Sequence, residues 1–174
     1  MLDAARFVAS PNCDARPPRT AVTLLVLHAI SLPRGDYGSD AVERLFSNRL
    51  DPAAHASFRD LAGLRVSAHF LLRRNGALIQ FVPIRRRAWH AGLSRWRGRA
   101  RCNDFSVGVE LEGVDDGAFT DAQYARLAVL LPELRAALPL LREIAAHSDI
   151  APGRKSDPGA AFDWARLFTG LARA

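Results

Sequence analysis

The segment Ala21-Val22-Thr23-Leu24-Leu25-Val26-Leu27 constrains the fold more than any other, because it runs without a charge up to His28. A short continuous apolar run with β-branched residues, bounded by turn formers, suits a strand covered on both faces. A second strand is expected from Phe105-Ser106-Val107-Gly108-Val109-Glu110-Leu111-Glu112, which alternates strictly. Phe105, Val107, Val109 and Leu111 fall on one face, and Ser106, Gly108, Glu110 and Glu112 on the other.

The remaining elements follow from punctuation. Residues 1–20 hold Pro11, Pro17 and Pro18 and read as an irregular N-terminal arm. Pro33 and Gly35 make 31–37 a loop, after which a helix is expected over Asp40–Phe46, capped by Ser39 or Asp40. Residues 49–63 read as a long surface loop. Val66–Arg73 and Ala77–Val82 flank Arg74-Asn75-Gly76, a hairpin signal in which both Asn75 and Gly76 are expected at positive φ. Thr120 with Gln123 is a capping box, opening a helix with Tyr124, Leu127, Ala128 and Leu131 on its apolar face, and Pro132 is expected to kink or split it. A last helix is expected over Asp163–Leu171. Strands interleaved with helices, and one hairpin, imply an α/β fold: a single domain over 1–174 with a mixed central β-sheet flanked by helices.

Composition removes several function classes. No run approaches the ~18 apolar residues of a membrane span. Met1-Leu2-Asp3-Ala4-Ala5-Arg6 lacks the basic start and apolar stretch of a secretory signal, so a cytoplasmic protein without a membrane partner is expected. The chain carries a formal charge of +6, yet Lys155 is its only lysine. The basic clusters Arg85-Arg86-Arg87 and Arg95 to Arg101 lack the repeated aromatics of a base-stacking sheet. A basic rim facing solvent or a carboxylate-rich ligand is expected, not a nucleic-acid partner. Cys13 and Cys102 form no C-x-x-C pair and are expected as free thiols.

Among five histidines, His28 stands out at the end of an apolar strand, where α/β sheets place ligands. His147 opens a loop rich in Pro and Gly that runs to Gly159 and contains Lys155 and Asp157. Two histidines and a carboxylate make a tripodal zinc site with a fourth position for water. A hydrolase also needs a general base and a cation for the oxyanion, for which Glu110 and Lys155 are candidates. Ser106 and Gly108 beside Glu110 would leave room for substrate. Taken singly, each of these residues is equally at home as packing or as solvated surface.

Taken together, the segments resemble a known family. They are Leu25-Val26-Leu27-His28; Arg65-Val66-Ser67-Ala68-His69; Arg87-Ala88-Trp89-His90-Ala91-Gly92; Arg101-Cys102-Asn103-Asp104-Phe105-Ser106; Gly108-Val109-Glu110-Leu111-Glu112-Gly113; and the loop from His147 to Gly159. Their order and spacing resemble the zinc N-acetylmuramoyl-L-alanine amidases of the AmpD type, related to phage amidases and peptidoglycan-recognition proteins. The resemblance implies the type 2 amidase fold and one Zn2+ per chain, bound by His28, His147 and Asp157. It also implies catalysis by Glu110 and Lys155 on the amide joining (1,6-anhydro-)N-acetylmuramic acid to the L-alanine of a stem peptide. The implied substrate is an anhydromuropeptide of cell-wall recycling, with Arg65, Trp89 and Arg101 at substrate-contact positions, and a monomer is expected. Trp89 and His90 read equally as substrate contacts or as support for the site; His69 reads as support or packing. Ala29 departs from the asparagine expected after the first zinc-ligand histidine, which removes one hydrogen bond available to the sugar.

Overall fold

The chain enters along the edge of its sheet. The structure is a computed structural model describing residues 5–173; residues 1–4 of the expected arm, and Ala174, lie outside the described residues. Arg6–Phe7 (β1) lies parallel to Ile79–Gln80, and Cys13–Asp14 (β2) lies antiparallel to Arg87–Ala88. Buried Asn12 donates from Nδ2 to the Val66 carbonyl at 2.7 Å. Arg16 donates to four backbone carbonyls, those of Ile84, Asn103, Asp104 and Ser106, at 2.9–3.2 Å. Most of the arm's backbone belongs to neither helix nor sheet, yet these side chains fasten it to three later segments.

The elements that follow are Leu24–Ile30 (β3), Ala41–Phe46 (α1), Phe70–Leu72 (β4), Leu78–Gln80 (β5), Arg87–Ala88 (β6), Arg95–Trp96 (β7), Arg99–Ala100 (β8), Ser106–Glu112 (β9), Asp121–Ala137 (α2), Glu143–Ala146 (β10), His147–Ile150 (α3) and Trp164–Arg173 (α4). The main sheet has the order β1-β5-β4-β9-β3-β10. Strands β4, β9, β3 and β10 run parallel, and β5 pairs antiparallel with β4, so the sheet is mixed as expected. The apolar run does form a strand, but the strand begins at Leu24 and continues through His28 to Ile30. The two faces expected of the alternating segment are both covered, since every residue of β9 is buried.

Both faces of the sheet are covered. On one, Leu25, Leu27, Val107 and Val109 meet α2 and α4 through Leu127, Leu131, Leu134 and Leu167. On the other, Leu71 and Ile79 meet Val42, Leu45 and Phe46 of α1, while Leu24 and Val26 meet Cys102, Phe105 and Ile150. Side chains alternate along a strand, so His28 shares the face of Leu24 and Val26. Glu110, directly opposite His28 in the register, shares that face too.

Three local expectations change. In the hairpin only Gly76 has positive φ, 85°. The Gly76 N–H donates to the Arg73 carbonyl and the Arg73 N–H to the Ala77 carbonyl, both at 2.9 Å. The connection is therefore a three-residue loop ending in a left-handed glycine, not a two-residue turn. Pro132 sits inside an unbroken α2; it forfeits one bond, to the Ala128 carbonyl, while Leu131 and Leu134 beside it stay packed in the core. Residues 49–63 contain a 3-10 turn, Ala56–Leu61, anchored by buried Phe58 and capped by His55 Nδ1, which accepts the Ser57 N–H. The Thr120–Gln123 box forms as expected, and Gln123 Nε2 also donates to the carbonyls of Leu72 and Glu112 at 3.2 and 3.0 Å. That links α2 to the ends of β4 and β9.

Glu112 anchors the same end. It accepts from Arg73 Nη1 at 2.7 Å and from the N–H groups of Gly38 and Arg74 at 2.7 and 3.0 Å. Arg73 also reaches Glu43 at 2.9 Å. Burial pushes the Glu112 carboxyl up, but those hydrogen bonds outweigh it and hold the group below its ordinary value. Its contribution is therefore complete above the unfolded-state pKa and is lost as pH falls through the lower folded value. In urea titrations at pH 7, Glu112→Gln is expected to cost about 3 kcal/mol, because it strands part of a buried guanidinium. The gap between the two proteins should close in acid.

Candidate active site

The parallel ladder of β3 with β9 sets His28 beside Glu110, and the ladder of β10 with β3 brings Ala146 level with Leu27. The next residue, His147, opens α3, with the Ala146 N–H donating to Asp149 Oδ2 at 2.8 Å. The following loop returns Asp157 to the same point. Its carbonyl accepts from the Ser148 N–H at 3.0 Å, and its carboxylate faces the Ala29 N–H at 3.4 Å.

Three ligand-type atoms meet there. His28 Nδ1 lies 2.9 Å from His147 Nδ1, and Asp157 Oδ2 lies 3.4 Å from the first and 3.1 Å from the second. A tetrahedral ion with legs of about 2.0–2.1 Å separates its ligands by about 3.3 Å, close to this triangle. The electrostatics also suit a cation. Burial pushes His28 down to about 4, so it offers a neutral lone pair. Burial opposes ionisation of Asp157, but hydrogen bonding to His147 and His28 outweighs it and holds the carboxyl below its ordinary value. Two buried imidazoles and one carboxylate form a donor set fit for a metal.

These residues border a cavity of about 240 Å³ that is also lined by Ile30, Leu64, Val66, Trp89, Glu110 and Lys155. Glu110 is only 8% exposed. Burial, and then the Asp157 charge, push its carboxyl well above the ordinary value, with the Lys155 cation pulling the other way. Lys155 itself is exposed. Of the residues expected at substrate, Trp89 lines the cavity; Arg65 and Arg101 are exposed outside its lining, with Arg101 paired to Asp104 at 3.3 Å.

The space over Gly108 is filled by protein. A Cβ there would come within 2.5 Å of the His90 ring, so the missing side chain admits His90 rather than substrate. His69 is fully buried, accepts the Gly108 N–H at Nδ1 and faces the Arg86 carbonyl from Nε2, as packing requires. Burial pushes it to about 3. Asn103, unremarkable in the sequence by itself, accepts at Oδ1 the N–H groups of both His90 and Ala91 at 3.1 and 2.8 Å. No periodicity marks a loop-to-loop contact of this kind; only its place in a family motif hinted at it.

A metal-fit triad with a buried carboxyl at the mouth of a parallel sheet is the layout of a metallohydrolase. The model of the N-acetylmuramoyl-L-alanine amidase family matches residues 18–160, and the chain belongs to that family of hydrolases. It is 53% identical to the 1,6-anhydro-N-acetylmuramyl-L-alanine amidase AmpD of Escherichia coli, over 95% of this chain and 91% of that protein. A crystal structure of a selenomethionine AmpD derivative superimposes with a TM-score of 0.96 at 49% identity, covering 98% of this chain and 96% of the other. The Escherichia coli amidase AmiD, solved with anhydro-N-acetylmuramic acid-L-Ala-D-γ-Glu-L-Lys, matches with a TM-score of 0.61 at 30% identity, covering 89% of this chain and 60% of AmiD. Among the described residues, no helix is long and apolar enough to cross a membrane.

If the triad holds a metal, one equivalent of Zn2+ raises the melting temperature of the metal-free chain, since a ligand bound by the native state alone stabilises it. Differential scanning calorimetry should show most of that rise lost in Asp157→Ala.

Proposed function

We propose that the chain is a cytoplasmic, zinc-dependent amidase of peptidoglycan recycling that splits 1,6-anhydro-N-acetylmuramyl peptides between the lactyl carbonyl and the L-alanine nitrogen. The observation that carries this reading is the meeting of His28 Nδ1, His147 Nδ1 and Asp157 Oδ2 within 4.8 Å of one another, on the wall of the cavity that Glu110 also lines. High identity to AmpD over nearly the whole chain supports the anhydro substrate.

His28, His147 and Asp157 would hold the zinc, which when bound supplies an acidified water near neutral pH and a Lewis acid for the carbonyl oxygen. Glu110 takes the proton of the attacking water; its burial raises proton affinity enough for it to hold that proton and pass it on. Lys155 sets its ammonium against the oxyanion that develops as the carbonyl carbon becomes tetrahedral. Glu110 then returns the proton to the L-alanine nitrogen as the C–N bond breaks. The products are a lactyl carboxylate on the sugar and a free stem peptide. Trp89 offers an apolar face for sugar or peptide, and the rim arginines Arg65 and Arg101 offer charge to the stem carboxylates.

Incubation with 1,6-anhydro-N-acetylmuramyl-tripeptide, followed by mass spectrometry, should show free tripeptide, lost with a zinc chelator and restored by zinc. Intact substrate from a folded, zinc-loaded sample would leave a binding module; faster release from intact wall would shift the substrate outward. Glu110→Gln is expected to lower kcat by at least ~10² with zinc still bound, and near-normal turnover would remove Glu110 from catalysis.

A further inference from the structure

We infer that His90 is a positioning residue that fixes the tautomer of His28, turning its Nδ1 lone pair toward the metal position. This rests on the zinc reading above. The Cys102 carbonyl can only accept, and Ser106 Oγ lies 2.6 Å from it, so the single hydroxyl proton of Ser106 is donated there. Ser106 Oγ must then accept from His90 Nε2, which lies 3.1 Å away. A neutral His90 ring with its proton on Nε2 presents only a lone pair at Nδ1. His28 Nε2, 2.9 Å from that atom, must therefore donate, and His28 Nδ1 is left unprotonated beside His147 and Asp157.

The slot for His90 is built for this purpose. Gly108 has an ordinary backbone φ, so its lack of a side chain serves space alone, and a Cβ would collide with the His90 ring. Asn103 Oδ1 holds the N–H groups of His90 and Ala91. The Ala91 carbonyl in turn faces His147 Nε2 at 3.3 Å, which directs that ring's Nδ1 inward by the same logic. The dipeptide His90-Ala91 thus orients both imidazoles, one through a side chain and one through the backbone. Groups that set ligand tautomers in this way typically change metal affinity by about 10- to 100-fold when removed.

The test uses the full chain and two variants. His90→Phe keeps a ring in the slot but removes the acceptor; His90→Asn returns an acceptor near the Nδ1 position. Zinc affinity, measured by competition with a chromogenic chelator, is expected to fall about 10- to 100-fold in His90→Phe and to recover largely in His90→Asn. In the unmutated zinc-loaded chain, long-range 1H–15N spectra should show His28 and His90 each protonated at Nε2, a result independent of whether a variant folds. Unchanged affinity in folded His90→Phe, no recovery in His90→Asn, or a proton on His90 Nδ1, the atom facing His28 Nε2, would overturn the inference while leaving the zinc reading intact. Failure of the unmutated chain to bind zinc would bring down the zinc reading and this inference with it.

Discussion

The parallel ladder between β3 and β9 is the contact on which the molecule depends. It runs in unbroken register from Leu24 opposite Ser106 to Ile30 opposite Glu112. One residue of slippage would send every side chain of a strand to the other face, burying His28 among the leucines of the α2 layer. The register is held because Leu25 and Leu27 fill that apolar layer, where a displaced His28 would lie without polar partners. Packing energy on one face thus decides the chemistry on the other. Each fully buried leucine or valine contributes roughly 1.5–3 kcal/mol, more than enough to keep polar groups aligned that would each prefer water.

Gathering polar groups at a buried strand end is costly, and the surroundings offset the cost in a particular way. Burial makes His28 and His69 poor bases, so neither holds a charge that needs solvation. Asp157 keeps its charge because the imidazoles face it. Glu110 has no such partner, and burial raises its affinity for a proton while the Lys155 cation pulls the other way. One cluster therefore contains a carboxylate suited to a cation and a carboxyl suited to proton transfer, with environment alone separating them.

Much of this was legible in the linear chain. The two central strands, the capping box at Thr120 and the hairpin were visible because each is a local pattern with a local cause. His28, His147, Asp157, Glu110 and Lys155 were each noticeable, although only the resemblance to a family joined them. The misreadings also have local causes. The two-residue turn gave way to a loop that leaves only Gly76 in left-handed space. Gly108 was expected to leave room for substrate, whereas the His90 ring fills the space above it. Pro132 did not split α2, since packed leucines on both sides outweigh one lost hydrogen bond.

What the sequence determined by itself was the order of elements and the inventory of reactive groups, since turn chemistry, periodicity and side-chain identity are local properties. Tertiary structure alone decided how those groups meet. His28 and His147 are separated by 119 residues yet lie 2.9 Å apart, because both depend on neighbouring strands of one sheet. The same holds for Arg16 on its four carbonyls, Asn103 on the backbone of His90, and Gly108 beneath the His90 ring. Each contact joins segments that no periodicity relates, and each exists only once the sheet has closed its register.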